Sequence, residues 1–174
     1  TPVDRNTLRK LLKKSLDEIF AVKYPKKYLK DSVECKLFGI GSEAMVVGSH
    51  EFYMGYAIKN NIMLTLDSGH FHPTEQVGDK VSSILHFVDE ILLHLSRGLR
   101  WDSDHVLAFN DDLLLITQEI IRAKALKKVY VGLDFFDASI NRIGAYVIGT
   151  RSAQMAFMYA MLEPHKTLVK YEDQ

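Results

Sequence analysis

One cysteine, Cys35, stands alone in 174 residues. An intrachain disulfide is therefore excluded. This usage fits a reducing compartment, so a cytoplasmic location is expected. Charge of one sign is also missing: Lys plus Arg and Asp plus Glu both number 22, and the formal net charge is zero. The general electrostatic attraction that nucleic acid or an anionic membrane relies on is absent, and neither partner is expected. No apolar run approaches the ~20 residues of a membrane-spanning helix. No signal-peptide pattern is visible. The chain opens on Thr1-Pro2 without a methionine, and it is expected to be a piece of a longer chain or a processed product.

What is present is ordinary for a soluble globular domain, at 47% hydrophobic and 25% charged. The length suffices for one domain with a sizeable core. Leu8, Leu11, Leu12, Leu16, Ile19 and Phe20 recur at helical spacing behind Asn6, a candidate cap. Arg9, Lys10, Lys13 and Lys14 lie mostly off that face and read as solvated helix surface. Residues 32–38 read as a strand, and Gly39, Gly41 and Gly48 as a loop. Ser49 can cap a short helix. Residues 62–66 form a short, mostly apolar run, as in a strand covered on both faces of a parallel sheet. Thr74 can cap a helix carrying Val77, Val81, Ile84, Leu85 and Val88.

A third strand spans 91–95, then a loop 97–105, then a helix 113–125 capped by Asp111 or Asp112. A fourth strand spans 129–133. Ser139 can cap a last helical region, 141–162, broken near Gly149 and ended by Pro164. The organisation is thus residues 1–164 as one metal-binding region and 165–174 as a polar tail. Strands separated by helices imply parallel pairing with right-handed crossovers. The fold class is α/β with four parallel β/α units. Four units make either a small open sheet or half of a (β/α)8 barrel, and a full barrel usually takes ~250 residues.

Each strand carries a ligand-type residue in it or at its end. Glu34 lies on the first, with Lys36 two residues on and so on the same side. Asp67 and His70 follow the second, His94 lies in the third, and Asp134 follows the fourth. Asp102 and Asp104 sit in the loop after the third strand, spaced so that an extended backbone points both carboxylates one way. Taken alone, each has a structural role: an Asp after a strand caps a helix, and a strand histidine is satisfied in a core. His72, His86 and His105 have no spacing argument and read as structural. The register argues for more. Parallel α/β folds place chemistry at the C-terminal ends of their strands. Carboxylates gathered in one pocket cannot all stay ionised without cations, and two divalent ions relieve that repulsion. Oxygen-rich sites with one or two imidazoles suit Mn²⁺ or Mg²⁺.

Four long stretches resemble one family in the same order. They are Val33-Glu34-Cys35-Lys36-Leu37-Phe38-Gly39; Leu66-Asp67-Ser68-Gly69-His70-Phe71-His72-Pro73-Thr74-Glu75; Arg100-Trp101-Asp102-Ser103-Asp104-His105; and Gly132-Leu133-Asp134-Phe135-Phe136-Asp137-Ala138-Ser139-Ile140-Asn141-Arg142. The chain is similar in them to the L-rhamnose isomerases, and it resembles the C-terminal half of that family's (β/α)8 TIM barrel. The resemblance implies an aldose–ketose isomerase of carbohydrate catabolism, interconverting L-rhamnose and L-rhamnulose by a metal-assisted 1,2-hydride shift. It implies two divalent cations, Mn²⁺ first and Mg²⁺ or Co²⁺ as alternatives. Glu34, Asp67, His94 and Asp134 would hold the substrate-anchoring ion. His70, Asp102 and Asp104 would hold the catalytic ion, with Asp67 able to bridge the two. Lys36 would contact the sugar near its carbonyl oxygen and, with Asp134, count as catalytic. The resemblance covers half a barrel, with two strand edges and an apolar inner face open. Completion by the N-terminal half, or a homo-oligomer, is therefore expected. The other readings are a metal-binding half-barrel without isomerase activity and a different divalent-metal barrel enzyme such as a nuclease. The neutral charge speaks against the nuclease.

Overall fold

A computed structural model describes residues 3–36, 46–99, 102–137 and 139–172, with the backbone alone at 99 and 102–104. Among the described residues, four strands form one parallel sheet. β1 (Ser32–Glu34), β2 (Met63–Asp67), β3 (Ile91–Leu95) and β6 (Val129–Leu133) lie in that spatial order. Helices intervene: α1 (Arg5–Ile19) precedes β1, α2 (His50–Asn60) links β1 to β2, and α3 (Gly78–Ile84) links β2 to β3. Between β3 and β6 come β4 (Arg97–Leu99), β5 (Asp102–His105) and α4 (Asp111–Arg122); α5 (Arg142–Leu162) and α6 (His165–Glu172) close the chain. Parallel neighbours joined by helices are what the alternation predicts. Among the described residues, no helix is long and apolar enough to cross a membrane.

The two faces of the sheet differ. Val33, Leu64, Leu66, Ile91, Leu93, Leu95 and Val129 are buried and join the core that Val81, Ile84, Leu113, Ile116 and Ile120 complete from the helices. The opposite face carries Ser32 and Glu34, Thr65 and Asp67, Leu92 and His94, Tyr130 and Gly132, aligned by the strand register. It is enclosed at β2, where Thr65 and Asp67 are buried, half-buried at Glu34 and His94, and exposed at Tyr130. Coverage of both faces thus holds for β2 alone, and the second face mixes these polar groups with Met63, Leu92 and Tyr130.

Several boundaries move. Asp4, not Asn6, caps α1, accepting from the Thr7 N–H at 2.9 Å. Ser49 caps α2 as expected. Thr74 caps nothing: α3 starts at Gly78 without a side-chain cap, and the Thr74 hydroxyl bonds His72 Nδ1 at 2.7 Å. Asn110 caps α4, leaving Asp111 and Asp112 in the first turn, where negative charge suits the helix dipole. Asn141 caps α5, while Ser139 bonds Asp137 instead. The predicted loop 97–105 contains an antiparallel ribbon, β4 with β5. The strand predicted over 32–38 pairs at Ser32–Glu34; residues 37–38, like Gly39 and Gly41, lie outside the described residues.

The helix α5 runs unbroken through Gly149. A Cβ there would fall 2.6 Å from Cζ of the buried Phe135, so the missing side chain seats a ring and does not break the helix. Gly78 does similar work at the start of α3, where a Cβ would come 3.2 Å from the Leu115 backbone of α4. Gly78→Val is expected to wedge the helices apart and lower stability by roughly 1–3 kcal/mol, read as a fall in the thermal midpoint.

Glu163, just past α5, ties α4 down. It accepts from Arg122 Nε at 2.7 Å and Gln118 Nε2 at 2.8 Å. The Arg122 guanidinium holds the Glu163 carboxyl below its ordinary value. A depressed carboxyl stabilises the fold above its unfolded pKa, and that contribution is lost as the pH falls through the folded pKa. Glu163→Gln is therefore expected to cost about 1 kcal/mol near neutral pH. The gap between variant and parent melting curves should close in acid.

Candidate metal centre

At the C-terminal edge of the sheet, the register sets Asp67 of β2 beside His94 of β3, and His94 beside Gly132 of β6. Asp134 follows β6 directly, with its N–H donating to the Leu95 carbonyl at 3.2 Å. Glu34 enters from β1, one pair lower, opposite Thr65, and its longer side chain spans the difference. These four residues each offer one ligand atom within 4.8 Å of all the others.

The His94 ring nitrogen Nδ1 is the hub. It lies 3.1 Å from Glu34 Oε1, 3.2 Å from Asp134 Oδ2 and 3.9 Å from Asp67 Oδ2. Hydrogen bonding to Glu34 raises the His94 pKa against the opposing pull of burial. Three carboxylates thus converge on one ring nitrogen. Asp67 behaves in the opposite sense: burial raises its carboxyl pKa, against the proton-releasing effect of His70, Ser96 and the Gly69 N–H. A divalent cation would suit both, taking the place that the carboxylates leave for positive charge beside Nδ1 and compensating the buried carboxylate. Three hard oxygen donors with one imidazole fit Mn²⁺ or Mg²⁺ rather than a thiolate-seeking metal.

His70 stands at the edge of this group. Its Nδ1 is 3.0 Å from the Cys35 carbonyl, and an N–H there donates to that oxygen. Its Nε2 lies 3.7 Å from Asp67 Oδ2, and orientation of the ring by a backbone carbonyl is what ligating histidines show. Lys36 is half-buried just beyond β1 and has left the strand, so the two-residue alternation that links it to Glu34 does not govern it. Asp102 and Asp104 lie on β5, but their side chains fall outside the described residues. Of the residues singled out from the sequence, Glu34, Asp67, His94 and Asp134 are brought together, with His70 against them.

Sequence reasoning misses Ser96 and Ser68. Ser96 Oγ donates to Asp67 Oδ1 at 2.5 Å, and Ser68 Oγ donates to the Ser96 carbonyl at 2.7 Å. A signal exists: Ser96 directly follows the strand that carries His94, at the same sheet end as Asp67.

Fold and site together define a parallel α/β protein with a carboxylate–imidazole cluster, suited to a divalent cation, at the C-terminal edge of its sheet. A family model described as L-rhamnose isomerase (RhaA) matches residues 1–174. The L-rhamnose isomerase of Rhodopirellula baltica is 57% identical over 171 residues, covering 98% of this chain and 40% of that protein. That of Bacteroides thetaiotaomicron is 56% identical over 170 residues, with 98% and 40% covered. One from Listeria monocytogenes is 52% identical over 171 residues, with 98% and 41% covered. The chain belongs to the L-rhamnose isomerase family. It spans about two fifths of the length of the curated relatives it matches.

Proposed function

We propose that this chain is the metal-holding half of a (β/α)8 barrel that interconverts L-rhamnose and L-rhamnulose. The observation that carries the reading is the four-donor cluster at the strand ends of a chain matched end to end by that family. Residues 1–164 are the metal-binding region. Glu34, Asp67, His94 and Asp134 hold the anchoring ion, and His70, Asp102 and Asp104 the second, Mn²⁺ being the first candidate for both. When bound, the ions supply Lewis-acid polarisation of the sugar oxygens. The protein's own part is positioning and fixed charge. The Cys35 carbonyl orients the His70 ring, β1 delivers Glu34, and Lys36 follows just past the strand end. Lys36 contacts the sugar near its carbonyl oxygen. The remaining strands add the sugar contacts and pair with the edges left at β1 and β6. The lone buried thiol of Cys35 supports a cytoplasmic setting.

The test is conversion of L-rhamnose to L-rhamnulose by the complete barrel and by this chain alone, each with Mn²⁺ and after chelation. Chelation is expected to abolish conversion by the complete barrel, and Mn²⁺ to restore it. Conversion that survives metal removal would sink the reading.

A further inference from the structure

Asp67 is the most enclosed member of the cluster, at 1% exposed. Its two oxygens are not equivalent. Oδ1 accepts from Ser96 Oγ at 2.5 Å and from the Gly69 N–H at 2.7 Å. Two donors use both lone pairs of a carboxylate oxygen. Oδ2 instead faces the imidazoles, 3.7 Å from His70 Nε2 and 3.9 Å from His94 Nδ1. Ser96 is itself fixed. It is 4% exposed, its N–H donates to Ser68 Oγ at 3.0 Å, and Ser68 Oγ donates back to the Ser96 carbonyl at 2.7 Å. The Ser68 N–H adds a bond to the His94 carbonyl at 2.9 Å. The ends of β2 and β3 are thereby laced together around one carboxylate.

We infer that Ser96 is a positioning residue for the metal centre: it pins Oδ1, so that Asp67 meets a divalent cation through Oδ2 alone. The inference rests on the metal reading above and sharpens it. Asp67 would then be a one-oxygen ligand, and a bridge formed by Asp67 between the two ion positions would run through Oδ2, which faces both histidines as Glu34 Oε1 also does. A bridge using one oxygen for each ion would require Oδ1 to shed two hydrogen bonds in a buried position, where unpaired donors are costly.

The test is Mn²⁺ affinity of the metal-free protein, by titration calorimetry and by the EPR signal of free Mn²⁺. Parent, Ser96→Ala and the isosteric pair Ser96→Thr and Ser96→Val are compared, with circular dichroism to confirm folding. Outer-shell partners of metal ligands typically govern about 10–100-fold in affinity. Ser96→Ala and Ser96→Val should therefore weaken binding by about that factor, while Ser96→Thr, which keeps the hydroxyl, stays within roughly threefold of the parent. If Ser96→Ala does not fold, the Thr and Val pair decides, since both carry the same added bulk. Parent-like affinity in Ser96→Val overturns the inference alone. Equal losses in Thr and Val also overturn it, because shape rather than the hydroxyl would then matter. No saturable Mn²⁺ binding by the parent would overturn the metal reading and this inference with it.

Discussion

Asp67→Asn is expected to remove metal-dependent stabilisation while leaving the metal-free fold at least as stable as the parent. The two halves of this expectation share one cause. Burial raises the Asp67 carboxyl pKa, so the ionised group costs stability where it sits. Asparagine keeps an oxygen to accept from Ser96 and Gly69 but carries no charge, which relieves that cost. The same substitution sets an amide where Oδ2 faced His70 and His94, and an amide NH₂ cannot ligate a cation. Removing one partner of a buried charge pairing typically costs about 3–5 kcal/mol, so the cation should bind roughly two to four orders of magnitude more weakly. With Mn²⁺ at ~100 times the parent's Kd, the parent gains about 2.7 kcal/mol of stability. A variant weakened about a thousandfold gains less than about 0.1 kcal/mol at the same concentration. Thermal melts of both proteins, with and without Mn²⁺, read this directly. A Mn²⁺-induced shift in Asp67→Asn as large as the parent's would remove Asp67 from the ligand set.

The alternation of strands and helices is legible in the sequence because each signal is local. Runs such as 91–95 and 129–133 are short, apolar and bounded by turn residues, and the structure keeps both as strands. Helix starts are less legible. Asn110, Asp111 and Asp112 are all good caps by type, and the choice falls on Asn110 because its backbone is extended there, at φ −145° and ψ 177°. The ribbon of β4 and β5 carries Arg-Gly-Leu against Asp-Ser-Asp-His. Neither segment alternates apolar and polar residues, so the pairing leaves no periodic trace.

The candidate site divides the same way. Glu34, Asp67, His94 and Asp134 stand out because a charged or imidazole side chain interrupts or ends an apolar run. Their convergence is a property of register, Asp67 against His94 and His94 against Gly132, which no single segment contains. Ser96 is hidden for a related reason. Serine is unremarkable after a strand, and its role exists only because the neighbouring strand brings Asp67 alongside.

His70→Ala separates the two ion positions that the family resemblance implies. His70 is not one of the four mutually close donors, so the variant leaves Glu34, Asp67, His94 and Asp134 in place. It removes a ring whose Nδ1 is held by the Cys35 carbonyl and whose Nε2 opens toward Asp67 Oδ2. The side chain is about one-eighth exposed, at 12%, so its loss also leaves a small void, which a melting curve of the metal-free variant would register separately. Mn²⁺ titration of the complete enzyme should fall from two ions to one, with the tighter ion bound within a few-fold of parent affinity. L-Rhamnose conversion should drop by at least about a thousandfold, equivalent to roughly 4 kcal/mol of barrier. The stoichiometry separates this result from general damage, since a distorted centre would lose both ions together. Two ions and parent-like turnover in a folded His70→Ala would place the second ion elsewhere and leave His70 a structural residue tied to Cys35.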